Sequence, residues 1–363
     1  MTAARSLKAL LVLTLPTLVL CALVGEVVLR TVVPAAEFPL ATFDATDRIL
    51  KYDVHGPRTG IYTLGPFARP RARWRINDDG WNSAIEYAHA RSPGRRRIVV
   101  IGDSYVEAIQ VDPTESAGAV LRALLHDSVD VYTLGISSAP LSQYLQMARY
   151  AARTFHPDVI VVNVVHNDFD QSVRTLSPTP WFLQFAPDRD GVREVAPTPY
   201  VPGAGRRLLR RSALLRYLVW NCKIAGLPDR VGAMLRRDAT RGMVPNANVD
   251  PARLRRNAPL IGHTVDAVTR AMRDEHPGTR IVYVMDAPRR DVYLGTVATS
   301  SVGWLTPLLR RSAESHGATF VDLTPTFARY WAATHRPLND PFDFHWNAAA
   351  HRLVAEALLP VVR

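Results

Sequence analysis

The chain is 363 residues long, 47% apolar and 21% charged, which excludes a disordered or collagen-like protein and leaves ample length for one large or two ordinary domains. Its formal charge is +11, but only Lys8, Lys51 and Lys223 are lysines and the other 41 basic residues are arginines. So one-sided a choice is what genome-wide codon bias produces. With no basic, base-reading module in view, nucleic acid is not expected as a partner.

MTAARSLK carries Arg5 and Lys8 and runs into ALLVLTLPTLVLCALVG, Ala9 to Gly25, seventeen residues without a charge. Continued through Val27, Val28 and Leu29 to Arg30, this predicts one N-terminal transmembrane helix, with residues 1–33 as the anchor. Positive charge ahead of the helix puts the amino end in the cytoplasm and the rest outside. A cleaved signal peptide competes, because Val33-Pro34-Ala35 is a tolerable small-residue site. Leu20 before Cys21 argues against a lipoprotein signal, and with Cys222 the only other cysteine no disulfide framework is expected in the soluble part.

Residues 34–94 form a Pro- and Arg-rich lead-in with turn signals at His55-Gly56-Pro57 and Asp78-Asp79-Gly80. From 95 onward short apolar runs alternate with helical periodicity. The runs are Ile98–Ile101, Val129–Leu134, Val159–Val165, Arg280–Met285 and Thr319–Leu323. Helices are expected over Glu115–His126, Leu141–Thr154, Asn257–Glu275, Val302–His316 and Asn347–Val362. Continuous apolar strands between helices require a parallel sheet covered on both faces, hence an α/β three-layer domain over 95–363. An insertion of about 173–256 interrupts it, Pro-rich at first and then RRLLRRSALLRYLVWN, Arg206 to Asn221. Arg and Leu on opposing faces there predict a basic amphipathic helix, either on a membrane surface or as a core stripe beneath a solvated Arg face.

The first run stops at Gly102-Asp103-Ser104 and a helical segment follows. In open parallel sheets, ligands bind beyond the carboxyl ends of the strands, and helix amino-terminal N–H groups there favour negative charge. Ser104 is therefore a candidate nucleophile whose own N–H helps hold an oxyanion; its plainer reading is a helix cap. The G-x-S-x-G elbow is excluded by Val106. VDVYTLGISSAP ends a strand at Gly135, a further N–H donor or simply a turn. DVIVVNVVHNDFD ends at Asn167, an amide donor or a cap. In DPFDFHWNAAAHRL, Asp343 and His345 precede a helix that Asn347 caps. A serine needs an imidazole to accept its proton, and the imidazole needs a carboxylate to fix its tautomer, so Asp343 and His345 on one loop supply both.

Ser, Gly, Asn and His in this order resemble the SGNH (GDSL-type) hydrolase superfamily over roughly 95–172 and 277–361. The resemblance implies a flavodoxin-like three-layer α/β/α fold and no metal or other cofactor. It makes Ser104 the nucleophile, His345 the base and then the acid, and Asp343 its orienting partner. The Ser104 N–H, the Gly135 N–H and the Asn167 side chain would form the oxyanion hole. Two departures stand out. The third block reads Val165-His166-Asn167-Asp168 without the usual Gly, and Phe342 occupies the usual aspartate position three before the histidine. Asp343-x-His345 is the spacing of relatives acting on cell-surface glycans, some of them acetyltransferases; Asp340 is a weaker substitute. The N-terminal apolar segment, Ile76-Asn77-x-x-Gly80 and His345-Trp346-Asn347 are similar to membrane-anchored bacterial members, which implies a single-pass inner-membrane protein with its catalytic domain in the periplasm or outside.

The expected function is an extracytoplasmic serine esterase that cleaves acyl, above all O-acetyl, esters on small molecules or envelope glycans. An O-acyltransferase shares the first half-reaction, with its acceptor seat in the 173–256 segment. A non-catalytic glycan-binding module would not need the Ser-His pair. A metallohydrolase would use His166, Asp168 and Asp170.

Overall fold

The computed structural model describes residues 10–69, 71–126, 129–189, 191–224, 249–340 and 343–363. Arg5, Lys8, residues 225–248 of the insertion and Phe342 lie outside the described residues. A π-turn at Leu10–Thr14 leads into α1 (Leu15–Thr31), followed by β1 (Ala41–Asp44), β2 (Ile49–Tyr52), β3 (Thr59–Thr63) and β4 (Arg71–Arg75). Next come β5 (Arg96–Gly102), α2 (Ser104–Glu107), α3 (Ala117–Leu124), β6 (Val129–Gly135), α4 (Leu141–Phe155), β7 (Val159–Val164) and α5 (Asp168–Gln171). The insertion holds β8 (Gln184–Asp188), β9 (Gly191–Val195), α6 (Ala204–Arg211) and α7 (Ala213–Arg216), and α8 (Pro251–Arg256) leads out of it. The chain closes with α9 (Ala258–Glu275), β10 (Arg280–Met285), α10 (Arg289–Leu294), α11 (Leu305–Ser315), β11 (Thr319–Asp322), α12 (Thr324–Thr334) and α13 (Ala348–Val362).

The chain divides into two compact units. One gathers the described parts of Met1–Phe38, Gly60–Ala72 and Pro202–Arg241; the other holds Pro39–Thr59, Arg73–Val201 and Gly242–Arg363. The five apolar runs make one parallel sheet in the second unit, ordered β11-β10-β7-β5-β6. Read from β6, that is the flavodoxin-like order 2-1-3-4-5, with its reversal between β5 and β7. Every residue of β7 is buried, as a central parallel strand requires. Val100, Val131, Val161 and Val284 pack on one face with Leu121 of α3 and Ala350, Val354 and Leu358 of α13. Val99, Ile101, Ile160, Val162 and Tyr283 are buried on the other face, where α4 lies against β5 and β7 and is flanked by α9. Local chemistry sets the helix starts. Ser116 Oγ accepts from Ala119 N–H (3.4 Å) at the head of α3, and Asn347 Oδ1 from Ala350 N–H (3.1 Å) at the head of α13.

Three expectations change. The segment after Ser104 is a single turn, ended by Ala108 in the left-handed region (φ 54°). Arg206–Asn221 is not one helix: Ser212 is extended (φ −104°, ψ 120°) and its hydroxyl accepts from Leu215 N–H (3.2 Å), so it caps α7 instead of continuing α6. The lead-in holds two strand pairs, antiparallel β1–β2 and β3–β4, that its Pro and Arg content hid.

In the first unit, α1 belongs to an apolar helix, Leu11–Thr31, of 21 residues, long and apolar enough to cross a membrane. Leu29 near its end is buried with Ala35 and Ala213.

Candidate active site

The sheet reversal puts the ends of β5 and β7 side by side, and Ser104 follows the first while Asn167 follows the second. His345 reaches the same rim from the loop before α13. Its Nε2 lies 2.8 Å from Ser104 Oγ, and its Nδ1 lies 2.5 Å from Asp343 Oδ1. Asp343 Oδ1 also accepts the His345 backbone N–H at 3.1 Å, so the carboxylate grips ring and backbone together. Asp340 meets this loop through its backbone carbonyl, which accepts from Asp343 N–H (3.2 Å). The aspartate two residues before the histidine is thus in contact with the ring.

Burial alone disfavours a charged His345. The Asp343 charge and hydrogen bond, and then Asp103, outweigh it and raise the imidazole above the ordinary histidine value. A base acts only when neutral, so ester turnover should fall as pH drops through that raised value. We expect the acid limb of kcat/KM to have its midpoint above 6.5; a midpoint at or below 6.5 would contradict the pairing with Asp343.

Both neighbours of His345 are anchored. Tyr105, next to the serine, donates its hydroxyl to Phe344 O (3.0 Å) and receives a hydrogen bond from Arg289 Nη2 (2.5 Å). Trp346 Nε1 donates to Asp286 Oδ1 (3.0 Å), and Arg289 faces Asp286 at 3.4 Å. The residue beside Ser104 and those after β10 therefore hold the histidine loop from two sides. Asp286 and Arg289 were not singled out in the sequence; the available signal is the polar DAPRR directly after an apolar strand.

Asp103, not Ser104, takes the N-cap of α2: its Oδ1 accepts from Tyr105 N–H (2.9 Å), and burial pushes its carboxyl up to about 6. Gly135 ends β6 opposite Gly102, and any Cβ there would sit 2.0 Å from Glu107 N and 2.5 Å from Glu107 Cα. Its place in the structure is a close backbone approach to α2. Beyond it, Ser138 holds φ 67°, a left-handed conformation that non-glycine residues keep only where their surroundings over-determine it. Asn167 occupies the N-cap position of α5 without capping it; its Nδ2 donates to Gln171 Oε1 (3.1 Å), which uses one of its two N–H groups.

Glu107 is the second group that sequence reasoning missed. It is 2% exposed, its carboxylate accepts from Tyr52 and Ser137 hydroxyls, and its backbone O accepts from Asn82 Nδ2 (2.7 Å). It therefore ties the lead-in to the loop after β6. Burial pushes this carboxyl from 4.5 up to about 7. A folded-state value above the unfolded one favours the protonated acid in the native protein. The stability this gives is present below 4.5 and is lost as pH rises to about 7. Denaturation midpoints measured across that window should fall more steeply for the native protein than for Glu107→Gln, by about 3 kcal/mol in total. Parallel curves for the two proteins would refute the raised value.

The three residues of the metal reading are not brought together. Asp168 Oδ2 accepts from Tyr144 OH (2.9 Å) and Val165 N–H (2.8 Å), Asp170 pairs with Arg253, and buried His166 is pushed down to about 3. Among the described residues no group of three or more His, Cys, Asp or Glu is placed to hold a metal ion.

The model of the GDSL-like lipase/acylhydrolase family matches residues 100–353. No curated protein sequence matches the chain. Among solved structures, an acetyl xylan esterase, AlAXEase, is 14% identical, with 74% of this chain and 100% of that one covered and a TM-score of 0.41. A lipase/acylhydrolase from Enterococcus faecalis is 11% identical over 74% and 95% of the two chains (TM-score 0.39). A carbohydrate acetylesterase family member from Sinorhizobium meliloti is 14% identical over 74% and 97% (TM-score 0.35). Identities this low bring neither an activity nor a substrate with them. The family match stands by itself, since it runs from the strand before Ser104 to the helix after His345: the chain belongs to the GDSL-like lipase/acylhydrolase family.

Proposed function

We propose that the protein is an extracytoplasmic serine esterase that hydrolyses acyl esters, O-acetyl groups on envelope glycans in particular, through an acyl-serine intermediate. The observation that carries it is the unbroken chain Ser104 Oγ–His345 Nε2 (2.8 Å) and His345 Nδ1–Asp343 Oδ1 (2.5 Å). In this reading Ser104 Oγ attacks the ester carbonyl carbon as its proton passes to His345 Nε2. The oxyanion is held by the Ser104 and Gly135 N–H groups and the Asn167 amide. Collapse expels the alcohol, which leaves with the proton from His345. Water then attacks the acyl-serine, giving a proton to His345; the acid departs and the proton returns to Ser104 Oγ. Asp343 stays ionised throughout and steadies the imidazolium.

The apolar Leu11–Thr31 helix supports placement at the bacterial inner membrane with the catalytic unit outside. The Asp343-x-His345 spacing supports glycan esters and keeps transfer to a glycan hydroxyl as a second reading, since both share the acyl-serine. Full-length protein given 4-nitrophenyl acetate should release nitrophenol. Adding an unacetylated envelope glycan then separates the two: acetate in solution means hydrolysis, acetylated glycan means transfer. No nitrophenol above buffer at neutral pH, from folded protein, would remove both.

A further inference from the structure

The charge-free run of the first unit ends at Glu26, and there α6 and α7 are attached. The Glu26 carboxylate accepts from Ser212 Oγ, Ala213 N–H and Leu214 N–H, each at 2.9 Å, so it serves the unpaired N–H groups that open α7. Arg30 Nη2 donates to Arg211 O (2.5 Å) at the end of α6 and pairs with Glu26. Leu29, between them, is buried against Ala213. The junction of α6 and α7 is therefore fixed level with residues 26–30 of α1.

That level can be placed against a bilayer. Towards the amino end, Leu11, Val12, Leu15, Leu18, Leu20 and Leu23 are each more than half exposed, an apolar cylinder that water would not tolerate. At 1.5 Å per residue, the 21 residues Leu11–Thr31 span about 31 Å, close to the hydrocarbon thickness of about 30 Å. Arg30 then stands at the headgroup boundary, and Glu26, paired with it, lies four residues or about 6 Å deeper. Held at that height is α6, AGRRLLRR, with four arginines in six residues (Arg206, Arg207, Arg210, Arg211) and Leu208 60% exposed.

We propose that α6 is a second membrane contact: its arginines bind phospholipid phosphates of the leaflet from which α1 emerges, and Leu208 enters the acyl boundary beside them. Guanidinium groups match phosphate oxygens two at a time, and an anionic leaflet attracts clustered arginines. The inference rests on α1 spanning the bilayer, and the test reads that separately.

Full-length protein with Cys21→Ser and Cys222→Ser is given one new cysteine, Leu208→Cys or Leu18→Cys, and labelled with an environment-sensitive fluorophore. It is reconstituted into phosphatidylcholine liposomes containing phosphatidylglycerol and brominated acyl chains. The expected result is bromolipid quenching at both positions, with iodide quenching at 208 several-fold weaker than in urea. Adding Arg206→Gln, Arg207→Gln, Arg210→Gln and Arg211→Gln should restore iodide quenching at 208 and leave position 18 unchanged. Quenching by lipid at 18, with 208 as open to iodide as in urea, would overturn the proposal and keep the anchor. Protection of 208 from both quenchers would overturn it in favour of a protein partner. No lipid quenching at 18 would remove the anchor, and the proposal with it.

Discussion

Ser104→Ala is expected to lower ester turnover by about 10,000-fold or more while leaving the fold intact. Two readings of this serine make opposite forecasts. As a helix cap, its loss would cost about 1 kcal/mol of stability and leave chemistry alone. As a nucleophile, its loss would do the reverse. The geometry separates them, because the capping bond at α2 comes from Asp103 Oδ1 to Tyr105 N–H (2.9 Å). Ser104 is the first residue inside the turn, and its Oγ points to His345 Nε2 at 2.8 Å, with Asp103 Oδ2 farther away at 3.5 Å. Alanine there removes one oxygen and no backbone bond. Denaturant unfolding and steady-state kinetics on the same two samples decide it. An unchanged kcat with a lowered midpoint would return Ser104 to the role of a cap and leave His345 without a proton to accept.

The sheet was legible because its period was. Five short runs, rich in β-branched residues and broken only by single polar residues such as Asp130, Asn163 and Asp322, can be buried on two faces only in a parallel sheet, and the strand ends fall within a residue or two of the runs. The Ser104–His345–Asp343 contact was legible for a related reason: each of the three residues sat where an apolar run or a helix start put a polar group at the rim. Glu107 and Arg289 were not, since each lies in a helical segment and looks like an exposed charge until its burial is known. Burial of that kind depends on what arrives from far along the chain: Tyr52 to Glu107, and Tyr105 to Arg289. The break at Ser212 was hidden because a serine fits helix interior and N-cap alike. What decides there is Glu26, 186 residues away, which accepts from the Ser212 hydroxyl and from the next two N–H groups.

Gly135→Ala should also damage activity, less than Ser104→Ala and by a different route. The reason is space, not backbone freedom, since Gly135 is not among the residues with positive φ. A Cβ would lie 2.0 Å from Glu107 N, 2.5 Å from Glu107 Cα and 2.5 Å from Val106 C, all backbone atoms of the turn that carries Ser104. No rotamer change relieves a contact with backbone, so either β6 or α2 must move. Overpacking of this kind costs about 1–3 kcal/mol or more, and α2 is the shorter and less braced of the two. Displacing it by about 1 Å takes Ser104 Oγ out of line with His345 and lowers kcat by roughly 100-fold. The alanine keeps its N–H, so loss of a donor cannot account for such an effect. Gly278→Ala, where a Cβ meets nothing within 4 Å, is the control and should be silent in both measurements. If Gly135→Ala unfolds at the same urea concentration as the native protein and turns over ester at the same rate, the close approach of β6 to α2 is wrong, and with it the placement of Ser104.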